Sequence, residues 1–185
     1  MTGRMLVAGV GNIFLGDDGF GAEVARRLAG AGLPGWVQVA DYGISGMHLA
    51  YDLADGYDTA ILIDAAQRGG EPGTLTVIEA APGGGAAPEG PPDPAGGSLA
   101  QTRLFDAHGM QPDVVLSVLD MLGAGSARIL VVGCEPASLD YGMELSEPVA
   151  KAVDAAVGVV MDLIAEADAA RSSGEGASDV SRHTR

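Results

Sequence analysis

Four side chains in this sequence, Asp17, Asp18, Asp64 and His108, are of the types that bind metals and move protons. Asp64 closes an apolar run, the two adjacent acids follow another across a glycine-punctuated turn, and His108 lies in a loop between predicted elements. In an open α/β sheet the carboxyl ends of the strands converge on one crevice, so residues distant in sequence can meet there. Two carboxylates and an imidazole make an oxygen- and nitrogen-rich set that leaves room for water or substrate. Such a set suits Zn, Ni or Fe(II) better than Ca or Mg. Each residue also has a plainer reading. Asp18 could answer the free N–H groups and dipole of a following helix, and a loop histidine is commonly a polar surface residue. Asp64 is harder to set aside, because an acid at the end of a buried strand is costly unless paired, hydrogen-bonded or metal-bound. His48 and His183 read as incidental, and Cys134 as a small buried residue.

The elements that must position these groups are legible from periodicity. Met5–Val10 reads as a buried strand. Phe20, Val24 and Leu28 recur at helical spacing until the Gly30–Gly35 stretch stops them. Trp36–Ala40 is a short second strand running into a loop, Asp41–Gly46, whose Ser45 is placed to cap a helix over about 46–54. Thr59–Asp64 is apolar enough to be central and covered on both faces. Thr74–Glu79 alternates as a strand, and residues 80–97 then consist almost wholly of Ala, Gly, Pro and acids, which predicts a flexible surface insertion. A helix over about 111–122, a strand over Arg128–Gly133 and a closing helix from about Ser146 to Ala169 follow, with a disordered tail from Arg171. Strands separated by helix-sized segments imply a twisted, mostly parallel sheet of about five strands in a three-layer α/β/α fold. Residues 1–170 are expected to form one domain.

Composition narrows the functional classes. Twenty-five acidic against ten basic residues give a formal charge of -15, which opposes binding to nucleic acid or anionic membranes. One cysteine cannot form an internal disulfide. No apolar run approaches a membrane span and no targeting segment is evident, so the expected location is cytoplasmic; a monomer is expected. A dinucleotide-binding oxidoreductase is the main competitor, since Gly9-Val10-Gly11 is half of a GxGxxG fingerprint and Asp41 stands where a ribose-binding acid could be. The third glycine would fall at position 14, which is Phe14, and Asp17-Asp18 put negative charge where a pyrophosphate should dock.

The run Gly9-Val10-Gly11-Asn12-Ile13-Phe14-Leu15-Gly16-Asp17-Asp18-Gly19-Phe20-Gly21 resembles the opening motif of the hydrogenase maturation endopeptidases, which trim the large subunit of nickel–iron hydrogenases. Asp41–Gly46 is similar to that family's Asp-Gly-Gly-Thr-x-Gly loop, Ile63-Asp64-Ala65 to its strand-end aspartate, Asp106–Gly109 to its histidine loop, and Gly133-Cys134-Glu135-Pro136 to its late Gly-x-x-Pro turn. The likeness spans roughly residues 4–165. It implies a three-layer α/β/α endopeptidase that removes a C-terminal extension from the large-subunit precursor after nickel insertion. It places nickel binding and catalysis on Asp18, Asp64 and His108, with nickel supplied by the precursor. A chaperone that binds nickel or precursor without cutting would use the same ligands. Two departures stand out: the first acid is often Glu in the family and is Asp18 here, and Tyr42 replaces a loop glycine.

Overall fold

Every residue of Met5–Val10 is buried, and this first strand, β1, has a parallel neighbour on each side. A computed structural model describes residues 3–80 and 127–175. In chain order its elements are β1, α1 (Phe20–Ala29), β2 (Val37–Gly43), α2 (Gly46–Ala54), β3 (Thr59–Ala65), β4 (Leu75–Ala80), β5 (Arg128–Cys134) and α3 (Glu147–Glu175). The strands form one sheet in the order β2-β1-β3-β5-β4. Four run parallel, and β4 is antiparallel to β5 at the edge. The reason lies in the connection: the segment between Ala65 and Leu75 is too short for the crossover of a dozen or more residues that a parallel strand needs.

Strand alternation divides the core into two. Met5, Val7, Ile61, Ile63 and Val132 face α1 and α3, packing on Phe20, Val24, Leu28, Val153 and Val160. Leu6, Ala8, Val10, Leu62 and Val131 face the other way, onto Leu49 and Leu53 of α2. This is the expected α/β/α arrangement, with β3 at the centre and buried throughout its middle.

The glycines of the opening motif explain how α1 is seated. A Cβ on Gly21 would overlap the carbonyl oxygens of Ile63 and Val10, and one on Gly9 would overlap the carbonyl oxygen of Gly21. The helix start therefore lies directly on β1 and β3, closer than any side chain permits. Gly21→Ala is expected to destabilise the fold by about 2–3 kcal/mol through overpacking against backbone, measurable as a lower denaturant midpoint. An unchanged midpoint would contradict this packing.

Three expectations change. β2 continues to Gly43 instead of ending at Ala40, because a register shift at Gly9/Val10 lets Asp41 and Gly43 stay paired with β1. Ser45 precedes α2 without capping it; its hydroxyl lies 2.6 Å from His48 Nδ1 instead. The closing helix runs to Glu175, so residues 171–175 are helical and not part of a tail. Arg171 accounts for that extension, since its guanidinium lies 4.4 Å from the Trp36 ring centroid and donates to the Gly3 carbonyl. The expected 111–122 helix, residues 81–97 of the insertion and His183 lie outside the described residues.

Candidate functional site

Parallel strands β1, β3 and β5 deliver their carboxyl ends to one side of the sheet, and the loops there carry acids. Beyond β1 the chain does not enter α1 directly. It folds a tight loop in which Asn12 Oδ1 accepts the Phe14 N–H at 3.0 Å, then a 3-10 turn over Gly16–Gly19. Asp17 and Asp18 are successive residues of that turn and face different surroundings.

Asp18 is half-buried, and its Oδ2 accepts the Asn12 N–H at 2.6 Å, which holds the carboxylate over the exit of β1. Asp64, at the exit of β3, is 7% exposed. Burial pushes its carboxyl up to about 8, and the nearby negative charge of Asp18 adds to this, while the Ala65 N–H opposes both. Asp64 thereby favours its protonated form at neutral pH, and a carboxyl group shifted this way by burial and a neighbouring carboxylate is a frequent signature of acid–base chemistry.

Asp17 does something else. It is 1% exposed and turns away from solvent to bind the segment after β5. Its Oδ2 accepts the N–H groups of Ala137 at 2.7 Å and Ser138 at 3.0 Å and the Ser146 hydroxyl at 2.9 Å; its Oδ1 accepts the Ser146 N–H at 2.6 Å. Burial alone would raise its pKa, but the hydrogen bonds from Ser138, Ser146 and Ala137 outweigh it and hold the group below the usual carboxylate range. Glu135 is its counterpart beside β3. Its carboxylate accepts the N–H groups of Arg68 at 2.8 Å and Gly69 at 3.1 Å, gathering the loop that follows Asp64. Burial raises its pKa too, and the backbone donors of Arg68, Gly70 and Gly69 bring it below the ordinary value. The segment after β5 is therefore tied by one carboxylate to each acid-bearing loop.

The sequence groups Asp17 with Asp18 by type and position and places Glu135 only in a turn motif. Their partners lie 120 and 67 residues away, respectively, a distance that no local pattern encodes. Asp41 lies at the end of β2, exposed, with Oδ1 accepting the Gly43 N–H at 2.9 Å. The residue that needs left-handed backbone there is Gly43, at φ 52°. Tyr42 therefore costs the loop no backbone freedom, and its hydroxyl donates to Asp52 at 2.6 Å.

Asp18 and Asp64 are brought together as expected, whereas His108 lies outside the described residues. Among the described residues no three His, Cys, Asp or Glu side chains converge as a metal cluster. The acid pair nevertheless suits a divalent cation, because a positive charge against both groups would offset the burial and the repulsion that keep Asp64 protonated. The dinucleotide alternative fits less well. Gly9 and Gly21 are occupied with helix-on-strand packing, and an acidic 3-10 turn stands between β1 and the N-terminus of α1.

A family profile described as hydrogenase maturation protease matches residues 98–163, a span that includes His108. Over 163 residues, 85% of this chain and 94% of the relative, the sequence is 34% identical to a Methanocaldococcus jannaschii protein provisionally named a hydrogenase maturation protease. It is 31% identical to the hydrogenase expression/formation protein HupD of Rhizobium leguminosarum, covering 83% of this chain and 70% of that one. Among solved structures, the hydrogenase maturating endopeptidase HybD of Escherichia coli superposes with a TM-score of 0.69 at 28% identity, covering 89% of this chain and 93% of that one.

Proposed function

This chain belongs to the hydrogenase maturation protease family, and from that membership we propose that it removes a C-terminal extension from the large-subunit precursor of a nickel–iron hydrogenase once nickel has been inserted. The observation that carries the proposal is the divided acid pair: a buried Asp64 raised to about 8 beside an Asp18 carboxylate held by the Asn12 N–H. A hydrolase needs groups that hold and move protons, and Asp64 is such a group.

Nickel enters as part of the substrate, recognised by Asp18, Asp64 and His108. Its charge supplies the cation that the acid pair suits, and it supplies Lewis-acid character next to the scissile carbonyl. The chain's own residues do the rest. Asp64 releases its proton to solvent when a cationic substrate centre removes the penalty on its charge. One carboxylate then takes a proton from the attacking water as the water oxygen bonds to the carbonyl carbon, and that same proton passes to the amine nitrogen as the C–N bond breaks. A precursor without nickel brings no cation, leaves Asp64 protonated and is not cut. The protease thereby reads metal occupancy as permission.

The test is the mass of the purified precursor before and after incubation with this protein. Loss of a C-terminal peptide from nickel-loaded precursor, with metal-free precursor unchanged, is the expected result. An unchanged mass despite complex formation would make the chain a binder and not a processing enzyme for that precursor. No described helix is long and apolar enough to cross a membrane.

A further inference from the structure

The turn that presents Asp18 also builds a surface that the reaction does not use. Leu15 and Gly142 form an isolated parallel bridge, with Gly16 N–H donating to Gly142 O at 2.8 Å and Gly142 N–H to Phe14 O at 3.0 Å. Paired residues in a parallel bridge point to the same face, and their flanking residues point to the opposite one. Leu15 is buried, so Phe14, Tyr141 and Met143 are turned outward together. Their exposures are 57%, 94% and 70%, and large apolar side chains turned outward from one pair of bridged loops, not scattered singly, mark an interaction site. The patch continues through Ile13 and Met143 into a cleft of about 680 Å³ between α1, the β2 edge and the segment before α3, which Asp41, Val39 and Leu145 also line.

The surroundings are acidic. Asp140 and Glu144 flank Tyr141 and Met143 and are exposed, Glu144 and Asp41 line the cleft, and the two cations that also line it, Arg26 and Arg27, are already paired with Glu23 and Asp154. We propose that this patch and cleft are the docking surface for a segment of the hydrogenase precursor that carries a large apolar side chain flanked by lysine or arginine. The apolar side chain would enter the cleft, and the cations would meet Asp140 and Glu144. Because Phe14 and Asp18 belong to one tight loop, a precursor held at the patch has its processing site delivered to the acid pair. The proposal rests on the protease reading above for the identity of the partner, although docking is measurable without cleavage.

The experiment compares the wild-type chain with a variant carrying Phe14→Ser, Tyr141→Ser and Met143→Ser, and with a second carrying Asp140→Asn and Glu144→Gln. Binding of nickel-loaded precursor is followed by calorimetry and cleavage by mass. The apolar variant is expected to raise both Kd and KM at least about tenfold, the loss falling on these and not on kcat, with its melting temperature retained. The charge variant is expected to weaken binding about threefold and to flatten its salt dependence. A folded apolar variant with unchanged Kd and KM would overturn the proposal. So would sedimentation showing that the wild-type chain dimerises through the patch while the variant is monomeric and binds precursor normally. If the wild-type chain binds precursor without cutting it and the apolar variant loses that binding, the docking surface stands and the protease reading fails.

Discussion

Asp64→Asn is expected to lower processing of nickel-loaded precursor by at least about 100-fold, the scale of a lost acid–base group, and at the same time to make the protein more stable. The two effects have one origin. Asp64 sits 7% exposed at the end of the central strand, with the charge of Asp18 nearby, and its carboxyl is pushed up to about 8. In the unfolded chain the same group ionises near its ordinary value of 3.8, so between these limits the folded state holds a proton that the unfolded state has released. The contribution is complete below the unfolded pKa and is lost as pH rises through the folded one. Asparagine carries no such proton. The melting temperature of the variant should therefore pull ahead of the wild type from about pH 4 to pH 8 and then stay ahead, by about 4 °C or more at pH 8. A stabilised but inactive enzyme is the usual sign of a group retained for function at the expense of the fold. Thermal scans at pH 5 and 8 beside the processing assay check both halves. A variant that cleaves normally would remove Asp64 from the chemistry, and a stability difference independent of pH would remove the buried charge as its cause.

Why Asp64 was legible from the sequence and Asp17 was not is a matter of range. An aspartate that ends a run such as Thr59-Ala60-Ile61-Leu62-Ile63 announces its own cost, since the run predicts a covered central strand, and β3 is one. The strands, the first two helices and the parallel sheet followed from period and punctuation in the same way. The position of β4 did not, because antiparallel return at the far edge depends on connection length and on β5, which comes much later in the chain. Asp17 and Asp18 are adjacent and chemically identical, yet one faces the β3 acid and the other binds residues 137, 138 and 146. Only the tertiary path of the segment after β5 separates their roles. The exposed patch was hidden for a related reason: Phe14 and Met143 have the composition of core residues, and a bridge between distant loops turns them outward.

Asp17→Ala is expected to be the most damaging single change to the fold, costing at least about 3 kcal/mol at neutral pH because it leaves three backbone N–H donors and one hydroxyl without their common acceptor. The carboxylate is 1% exposed, so water cannot replace it without opening the loop. Its pH dependence runs opposite to that of Asp64. Hydrogen bonds from Ser138, Ser146 and Ala137 overcome the effect of burial and depress the folded pKa below the ordinary 3.8, so the stabilisation is present above the unfolded pKa and is lost as pH falls through the folded one. The deficit of the variant should therefore be full at pH 7 and shrink as acid protonates the wild type, with denaturant unfolding at pH 7 and pH 3 as the measurement. Activity should fall as well, since release of residues 137–146 leaves the Gly16–Gly19 turn, and with it Asp18, held only by its local bonds. Asp17→Asn should recover part of the stability through its amide oxygen, which can still accept, while its NH2 faces donors. An alanine variant as stable as the wild type at pH 7 would mean that the segment after β5 is held by its packing and its backbone bonds to residues 14–17, and the carboxylate at the centre of the turn would have no structural task.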